Sequence, residues 1–310
     1  MTTISVVMGV FNAASTLDET IDSILGQTFG DFEFVIVDDG SVDETPSILA
    51  ACAARDSRIR VIRQENTGLT RALIAGCAAA RSPLIARQDA GDLSHPARLQ
   101  LQKPLFDADE EIVFVSCQTA FVGPELEPLY EARGFAEASR ALRVLDLEQP
   151  NGVITGPTSH PSVIFRRDAY ERAGGYRAAF HFGQDWDLWY RLAALGKFQM
   201  VPEVLYRARV TPESISGRSH EPQQRLGEFS LAAARARSRG ESEEDILAEA
   251  ARIGPSPRQT KSSRARGLYF IGEALRRNGD VRARRYLGQA IAASPFDVRA
   301  WIRYAQSLLT

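Results

Sequence analysis

Two carboxylates three residues apart are the first candidates for chemistry in this sequence. Asp89 and Asp92 follow the apolar residues 84–86, and Gly91 lies between them. Carboxylate oxygens suit a hard cation such as Mg²⁺, which keeps several waters and is commonly shared with phosphate oxygens. The same residues are also typical of a polar turn after a strand, so this pair alone does not predict a metal site.

Two other apolar runs also end in polar residues, with Asn12 after the first run and Asp38-Asp39 after the second. Parallel strands present their carboxyl ends at one edge of a sheet, and ligands of open α/β folds bind there. These polar groups are therefore expected to converge with Gln88 and Asp89. The convergence, rather than any single group, predicts a ligand site.

Asp185 and His160 are further candidates for acid–base chemistry. Asp185 lies at the predicted start of a helix, where a carboxylate serves either as a base or only as a cap for the helix N-terminus. His160 follows the irregular segment 123–157, which is rich in proline and glycine and is predicted to be a loop or a substrate lid. A histidine there either meets a ligand or is structural.

Helical and apolar patterns alternate around these residues and predict the elements that position them. A stripe of apolar residues at helical spacing follows the first apolar run, and further helical patterns follow the next two. This β-α-β-α-β-α-β order predicts an α/β fold with a right-handed, parallel wound sheet. The first four predicted strands lie at residues 4–10, 32–37, 60–63 and 84–86, and two further strands are predicted at 112–116 and 161–165.

Composition narrows the class of protein. The chain has 310 residues, of which 44% are hydrophobic and 25% charged, as in ordinary globular proteins. No apolar run approaches the ~20 residues needed to span a bilayer, and no signal-peptide pattern is evident at the N-terminus. Cys52, Cys77 and Cys117 lie far apart and match neither zinc-site nor disulfide spacing. We therefore expect a reduced, cytoplasmic protein.

The C-terminal part has a different character. Residues 252–310 carry twelve Lys or Arg and three Asp or Glu, a net charge of +9, which leaves −11 for the rest. We predict a first domain at 1–217 and a basic α-helical region at 218–310, with one tetratricopeptide-type helix pair. A single repeat cannot bury its own apolar face, so it is expected to pack on the first domain or on a second chain. Its arginines face either anionic lipid or only solvent.

Five motifs in this order resemble those of family 2 glycosyltransferases, the nucleotide-diphospho-sugar transferases with a GT-A fold. The resemblance covers roughly residues 1–215. The motifs are Ser5-Val-Val-Met-Gly-Val-Phe-Asn12, Phe34-Val-Ile-Val-Asp-Asp-Gly-Ser-Val-Asp-Glu-Thr45, Asn66-Thr-Gly-Leu69, Arg87-Gln-Asp-Ala-Gly-Asp92 and Gly183-Gln-Asp-Trp-Asp-Leu-Trp-Tyr-Arg-Leu192. The family fold implies a mixed, mainly parallel Rossmann-like sheet flanked by helices.

The resemblance also implies roles for particular residues. Asp39 would accept hydrogen bonds from the base, Asp89 and Asp92 would hold Mg²⁺ or Mn²⁺ on the diphosphate, and Asp185 would be the catalytic base of an inverting reaction. The residues implied for nucleotide-sugar binding are Val10, Phe11, Asn12, Asp38, Asp39, Gly40, Asn66, Gly68, Arg71, Gln88 and Asp89, with His160 as a further candidate.

Two positions depart from the family pattern. Gly91 replaces the middle aspartate of Asp-x-Asp-Asp, so either Asp92 takes over ligation or Asp89 binds alone. Gln184 replaces the usual Glu before the base. The Gln-x-x-Arg-Trp signature of processive synthases is absent from the sequence, which favours transfer of a single sugar.

The resemblance therefore predicts a hexosyltransferase-type enzyme of surface glycan or polysaccharide biosynthesis. Its substrates would be a nucleotide-diphospho-sugar and a sugar, lipid-linked or protein acceptor. If the basic C-terminal region faces anionic lipid rather than only solvent, the enzyme would contact the inner membrane face peripherally. The alternative is a catalytically degenerate GT-A domain that acts as a scaffold through its helical region. A sugar nucleotidyltransferase is disfavoured because the Gly-rich Arg-Leu and Lys signature expected near its N-terminus is missing.

Overall fold

The computed structural model describes residues 2–134, 156–212, 220–254 and 261–308, without the side chains of residues 220 and 221. Much of the predicted lid at 123–157 therefore lies outside the described residues. Within the described ranges, no helix is both long and apolar enough to cross a membrane.

The described residues form a nine-stranded sheet in the order β3-β2-β1-β4-β8-β6-β9-β5, and β7 pairs with β6. The first four predicted strands are present, the strand predicted at 112–116 is the start of β6, and the one predicted at 161–165 overlaps β8; β5, β7 and β9 were not predicted. The strands are β1 (Ile4–Val10), β2 (Phe32–Asp38), β3 (Ile59–Arg63), β4 (Leu84–Asp89), β5 (Leu93–Ser94), β6 (Ile112–Val122), β7 (Pro128–Ala132), β8 (Ile164–Arg166) and β9 (Lys197–Arg209).

Strands β1 to β4 are parallel to one another, and β8 runs antiparallel to β4 and β6. Every residue of β1 is buried, which explains its unbroken apolar sequence. In register, Val10 lies opposite Asp38 on one side of β1, and Gly9 lies opposite Asp89 on the other. The polar groups after these strands therefore meet at one edge of the sheet, as the sequence predicts.

Eleven helices of the described chain accompany the sheet. Helix α6 begins after Gly183, whose backbone is left-handed with φ of 67°, and buries Leu188, Trp189 and Leu192. The helices are α1 (Leu17–Leu25), α2 (Thr45–Arg55), α3 (Leu69–Ala79), α4 (Arg98–Ala108), α5 (Arg167–Arg172), α6 (Gln184–Ala193), α7 (His220–Ser238), α8 (Glu244–Ala251), α9 (Lys261–Arg277), α10 (Ala283–Ala293) and α11 (Val298–Ser307), and a short 3-10 helix spans His160–Ser162.

Contacts divide the described residues into two compact units that are interleaved along the chain. The first takes residues from 1–119, 132–207 and 226–254, and the second from 120–131, 208–225 and 255–310. The domain boundary at residues 217 and 218 stays a prediction.

Each unit has an apolar core of its own. The first unit packs the sheet against α3, α5 and α6, with Leu73, Phe165 and Trp189 among the buried residues. The second unit packs α9, α10 and α11 around Ile271 and Leu287. The candidate ligand-binding residues of the sequence analysis all belong to the first unit.

Candidate active site

The carboxylate of Asp39 is fixed by the loop that precedes α3. Its Oδ1 accepts hydrogen bonds from the backbone N–H of Thr67 (3.0 Å) and from the Gln64 side chain (2.7 Å), and its Oδ2 accepts one from the N–H of Gly68 (2.8 Å). Asp39 is 3% exposed. It therefore shapes the loop that the resemblance places beside the nucleotide.

The end of β1 is tied to the end of β2 by a second set of hydrogen bonds. The backbone N–H of Asn12 donates to Ser41 Oγ at 2.9 Å, and Asn12 Oδ1 accepts from the N–H of Val42 at 2.9 Å. Asp38 Oδ1 accepts from the N–H of Ser41 at 2.9 Å. Asn12 has a φ of 49°, a left-handed conformation that asparagine tolerates better than most residues.

Gly40 is required where these two loops approach each other. Its φ is 78°, and a Cβ at this position would lie 2.7 Å from the backbone nitrogen of Asn66. Only glycine fits this close approach of two backbone segments. The structure thus brings together Val10, Asn12, Asp38, Asp39, Gly40, Asn66 and Gly68, which are seven of the predicted nucleotide-binding residues.

The turn after β4 places its two carboxylates differently. The side chain of Asp89 is about one-third exposed (32%), whereas Asp92 is buried and its Oδ2 accepts a hydrogen bond from the Tyr206 hydroxyl at 3.0 Å. Gly91 has a φ of 96°, which a side chain strains whatever the surrounding space. The backbone of the turn therefore accounts for glycine where the family pattern has aspartate.

Arg87 is fully buried beneath this turn and connects two predicted site residues. Its Nη2 lies 2.5 Å from Asp89 Oδ1, and its Nε donates to His160 Nε2 at 3.4 Å. Its Nη1 donates to the backbone carbonyl of Gln88 at 2.6 Å. A buried guanidinium needs such partners because an arginine does not lose its proton in a protein.

His160 is held neutral, and its contacts define its tautomer. Burial, together with the charge of Arg87, lowers the pKa of His160 well below its usual value. Arginine only donates, so the Nε2 that accepts from Arg87 carries no proton, and the ring proton is on Nδ1. The Tyr176 hydroxyl lies 2.7 Å from the same Nε2.

Asp185 is the second residue of α6 and belongs to the same electrostatic cluster. Burial raises the pKa of Asp185 to about 6; the backbone N–H of Trp186 and the charge of Arg87 oppose this shift, and the charge of Asp89 adds to it. At neutral pH the group is ionised, and it is a stronger base than an ordinary carboxylate. The cluster thus combines an accessible carboxylate, Asp89, with a carboxylate that can accept a proton, Asp185.

Other predicted residues lie apart from these contacts. Phe11 and Arg71 are exposed, and Arg71 is in the first turn of α3. The Gln88 side chain is fully buried, where its Nε2 donates to the carbonyls of Asp89 and Asp92, both at 3.1 Å. Gln88 thus stabilises the turn from inside, and its contact with a donor remains a prediction.

Three site residues were not predicted from the sequence: Arg87, Tyr176 and Tyr206. Tyr206 lies in β9, where its hydroxyl also accepts a hydrogen bond from the backbone N–H of Asp89 at 3.2 Å. Arg87, in the fourth motif, could have been predicted as a site residue from the sequence. A charged residue inside an otherwise apolar strand is buried, and a buried charge needs a partner of opposite charge.

Among the described residues, no group of three or more His, Cys, Asp and Glu side chains is placed to hold a metal ion. Mg²⁺ in proteins is often bound by only one or two carboxylates, with waters and substrate phosphates as its other ligands. Asp89 fits that arrangement, since its carboxylate is accessible and only its Oδ1 lies against Arg87. Asp92 fits it less well because of its burial.

Two solved structures resemble the fold of this chain. S. aureus TarS 1-349 in complex with UDP has a TM-score of 0.59 and 14% identity, and the match covers 99% of this chain and 88% of that one. The mannosyltransferase PcManGT from Pyrobaculum calidifontis, in complex with GDP-Man and Mn²⁺, has a TM-score of 0.56 and 18% identity. That match covers 99% of this chain and 86% of the PcManGT chain. The fold is therefore the GT-A fold predicted from the sequence.

The model of glycosyl transferase family 2 matches residues 5–173. The putative glycosyltransferase EpsE of Bacillus subtilis (strain 168) is 31% identical over 223 residues, which cover 70% of this chain and 76% of that protein. The chain belongs to glycosyl transferase family 2 and is a glycosyltransferase enzyme, as the motifs predict.

Two further relatives match over shorter shares of their length. The O-antigen biosynthesis glycosyltransferase WbnJ of Escherichia coli is 27% identical over 61% of this chain and 71% of that protein. The chondroitin synthase of Pasteurella multocida (strain Pm70) is 24% identical over 66% of this chain, but the match spans only 20% of that protein.

Proposed function

We propose that this enzyme transfers a single sugar from a nucleotide-diphospho-sugar to an acceptor hydroxyl in the biosynthesis of a surface glycan or polysaccharide. The observation that carries the proposal is the cluster of Asp89, Arg87, His160 and Asp185 at the carboxyl edge of the sheet. It joins an accessible carboxylate, a buried cation and a carboxylate of raised pKa. The donors named for TarS and PcManGT, UDP-GlcNAc and GDP-Man, support a nucleotide-sugar donor here.

In the proposed reaction, Asp185 takes the proton of the acceptor hydroxyl as the hydroxyl oxygen attacks the anomeric carbon. The bond from that carbon to the diphosphate breaks at the same time, and the electron pair leaves with the nucleoside diphosphate. A single displacement of this kind inverts the anomeric configuration. General-base assistance is typically worth ~10²–10⁴ in rate.

A divalent metal, Mg²⁺ or Mn²⁺, is proposed as the cofactor. Asp89 would hold it, with Asp92 as the second candidate, and when bound it would stabilise the negative charge that develops on the leaving diphosphate. The Mn²⁺ of PcManGT supports this proposal. His160, which carries its proton on Nδ1, is a candidate donor of a hydrogen bond to the diphosphate.

The proposed location is the cytoplasm, with peripheral contact at the inner membrane face. Cys52, Cys77 and Cys117 are buried free thiols, which suits a reducing compartment. In the second unit, α11 exposes Val298, Trp301 and Ile302 at a spacing typical of one helix face. An apolar stripe of this kind on a basic segment is typical of helices that lie in the plane of an anionic membrane.

The test is turnover of a panel of nucleotide-sugars, followed as release of nucleoside diphosphate with and without acceptor. The variant Asp185→Asn keeps the size of the side chain but is not a base, and we expect it to lose ~10²–10⁴ of the rate. The control Asp168→Asn, at a largely exposed carboxylate of α5, is expected to behave as the wild type. Equal rates for Asp185→Asn and the wild type would contradict the proposal.

A further inference from the structure

A series of alternating charges connects the first turn of α6 to residues that come later in the chain. Asp187 is buried, with its Oδ2 2.5 Å from Arg191 Nη2 and its Oδ1 3.5 Å from Arg177 Nη1. Arg177 Nη1 lies 2.5 Å from Glu243 Oε2, and Arg237 Nη1 lies 2.8 Å from Glu243 Oε1. The side chains of α6 are thus linked to the residues around α7 and α8.

An apolar cluster binds the same segments together. Phe180, Leu226 and Ala250 are fully buried against one another, so α7 and α8 pack on the residues that precede α6. A Cβ built on Gly183 would lie 3.8 Å from the backbone nitrogen of Gly227. Thr70 Oγ1 donates to the carbonyl of Phe180 at 2.7 Å. The start of α6 therefore depends on residues well beyond the family match, which ends at residue 173.

Arg177 lies between two carboxylates of this network, those of Asp187 and Glu243. Arg191 pairs with Oδ2 of Asp187, whereas Oδ1 is buried and accepts no hydrogen bond from the part of the chain that the structure describes; the cation facing Oδ1 is Arg177, 3.5 Å away. Arg177 is in turn held by Glu243. Although burial opposes ionisation, Arg177 and Arg237 keep the pKa of Glu243 below its usual value, so it is charged at neutral pH.

We propose that Glu243 is a positioning residue for catalysis: it holds Arg177 against Asp187 and so fixes the first turn of α6, which carries Asp185. The proposal rests on the proposed role of Asp185 as the base. The side chain of Glu243 acts through Arg177 and Asp187 and needs no contact with substrate. Its loss should affect the rate of the reaction more than the binding of the donor.

The variant Glu243→Gln removes the charge and keeps the shape of the side chain. We expect kcat to fall about tenfold with an unchanged KM for the nucleotide-sugar, because a misplaced catalytic group can cost ~10²-fold. Glu243→Asp, which keeps the charge, is expected to recover part of the loss. The matched control is Glu241→Gln, two residues away, where an exposed carboxylate pairs with exposed Arg239.

A double variant separates positioning from general destabilisation. If Glu243 acts through Asp185, adding Glu243→Gln to Asp185→Asn lowers kcat no further. A further loss in the double variant, an equal loss for Glu241→Gln, or wild-type kcat in Glu243→Gln would each overturn the inference. If Glu243→Gln does not fold, Arg237→Gln removes one partner of Glu243 and is expected to lower kcat about twofold to fivefold at constant KM; no change in kcat would then overturn it.

Failure of this inference is distinguishable from failure of the proposed function. A wild-type rate in Asp185→Asn contradicts the role of Asp185 itself. An inactive Asp185→Asn together with a fully active Glu243→Gln contradicts only the positioning role of Glu243.

Discussion

At the residue scale, the proposed role of Asp185 as the base predicts how the activity depends on pH. Its pKa is raised to about 6 by burial, and only the ionised form accepts a proton. Activity is therefore present above this pKa and lost as the pH falls through it. We expect kcat/KM to be constant above about pH 7 and to fall about tenfold per pH unit below about pH 6.

The measurement is a pH–rate profile of kcat/KM, which reports groups of the free enzyme. The residual activity of Asp185→Asn serves as the control and should lack this acid limb. A wild-type profile that stays flat well below pH 6 would show that another group is the base.

The chemistry of individual residues was predicted from the sequence where a side chain follows a recognisable strand. Asp39 and Asp89 were proposed on that ground, whereas Asp185 was proposed from its place at a predicted helix start and from the family resemblance. Arg87 and Tyr206 were not, because their importance arises from contacts across the fold. Tyr206 lies 114 positions from Asp92, whose carboxylate accepts its hydrogen bond, and no local pattern indicates such a contact.

At the scale of elements, Gly40 joins the end of β2 to the loop before α3. Gly40→Ala combines a left-handed backbone with a contact of 2.7 Å to the Asn66 nitrogen. The backbone conformation alone costs ~1–2 kcal/mol of the free energy of unfolding. Because the clash also displaces the loop that Asp39 holds, we expect weaker binding of nucleoside diphosphate, measured by calorimetry beside chemical denaturation.

Gly30→Ala is the matched control, because a Cβ there meets nothing within 4 Å and the backbone of Gly30 is not left-handed. It should leave both the stability and the nucleotide affinity near wild type. Equal affinity for Gly40→Ala and Gly30→Ala would contradict the assignment of this loop to the nucleotide site.

Strands were predicted most clearly from the sequence where nearly every residue is buried. Strand β1 is buried throughout, so its apolar run is unmistakable, and β2 is nearly so. Strand β9 was missed because Lys197, Glu203, Arg207 and Arg209 interrupt its apolar residues, and its burial follows no simple alternation. Pairing with β5 and β6, which are distant in sequence, decides its conformation.

At the scale of the whole molecule, the proposed membrane contact predicts selective binding to anionic vesicles. Trp301 and Ile302 of α11 are each about half exposed, and replacing both with serine removes two apolar side chains from the proposed contact surface. We expect binding to vesicles that contain phosphatidylglycerol to weaken more than about tenfold, since each buried apolar side chain contributes ~1.5–3 kcal/mol. Vesicle flotation measures this directly.

Val42→Ser is the control, because Val42 is 87% exposed but belongs to the first unit. Binding of the wild type should also decrease with added salt, as screening weakens the attraction between arginines and lipid phosphates. Equal binding to neutral phosphatidylcholine vesicles, or no effect of the double substitution, would argue against this contact.

The packing of α7 and α8 beneath the start of α6 has a consequence for how this sequence can diverge. The recognisable family segment ends at residue 173, yet Phe180 and Arg177 take their partners from residues 226–250. Substitutions in α7 and α8 therefore affect the residues that support α6, so these helices cannot change in sequence independently of the family segment. If Asp185 is the base, as proposed, selection on sugar transfer also acts on Leu226 and Glu243, and compensating changes should appear in pairs between the two regions.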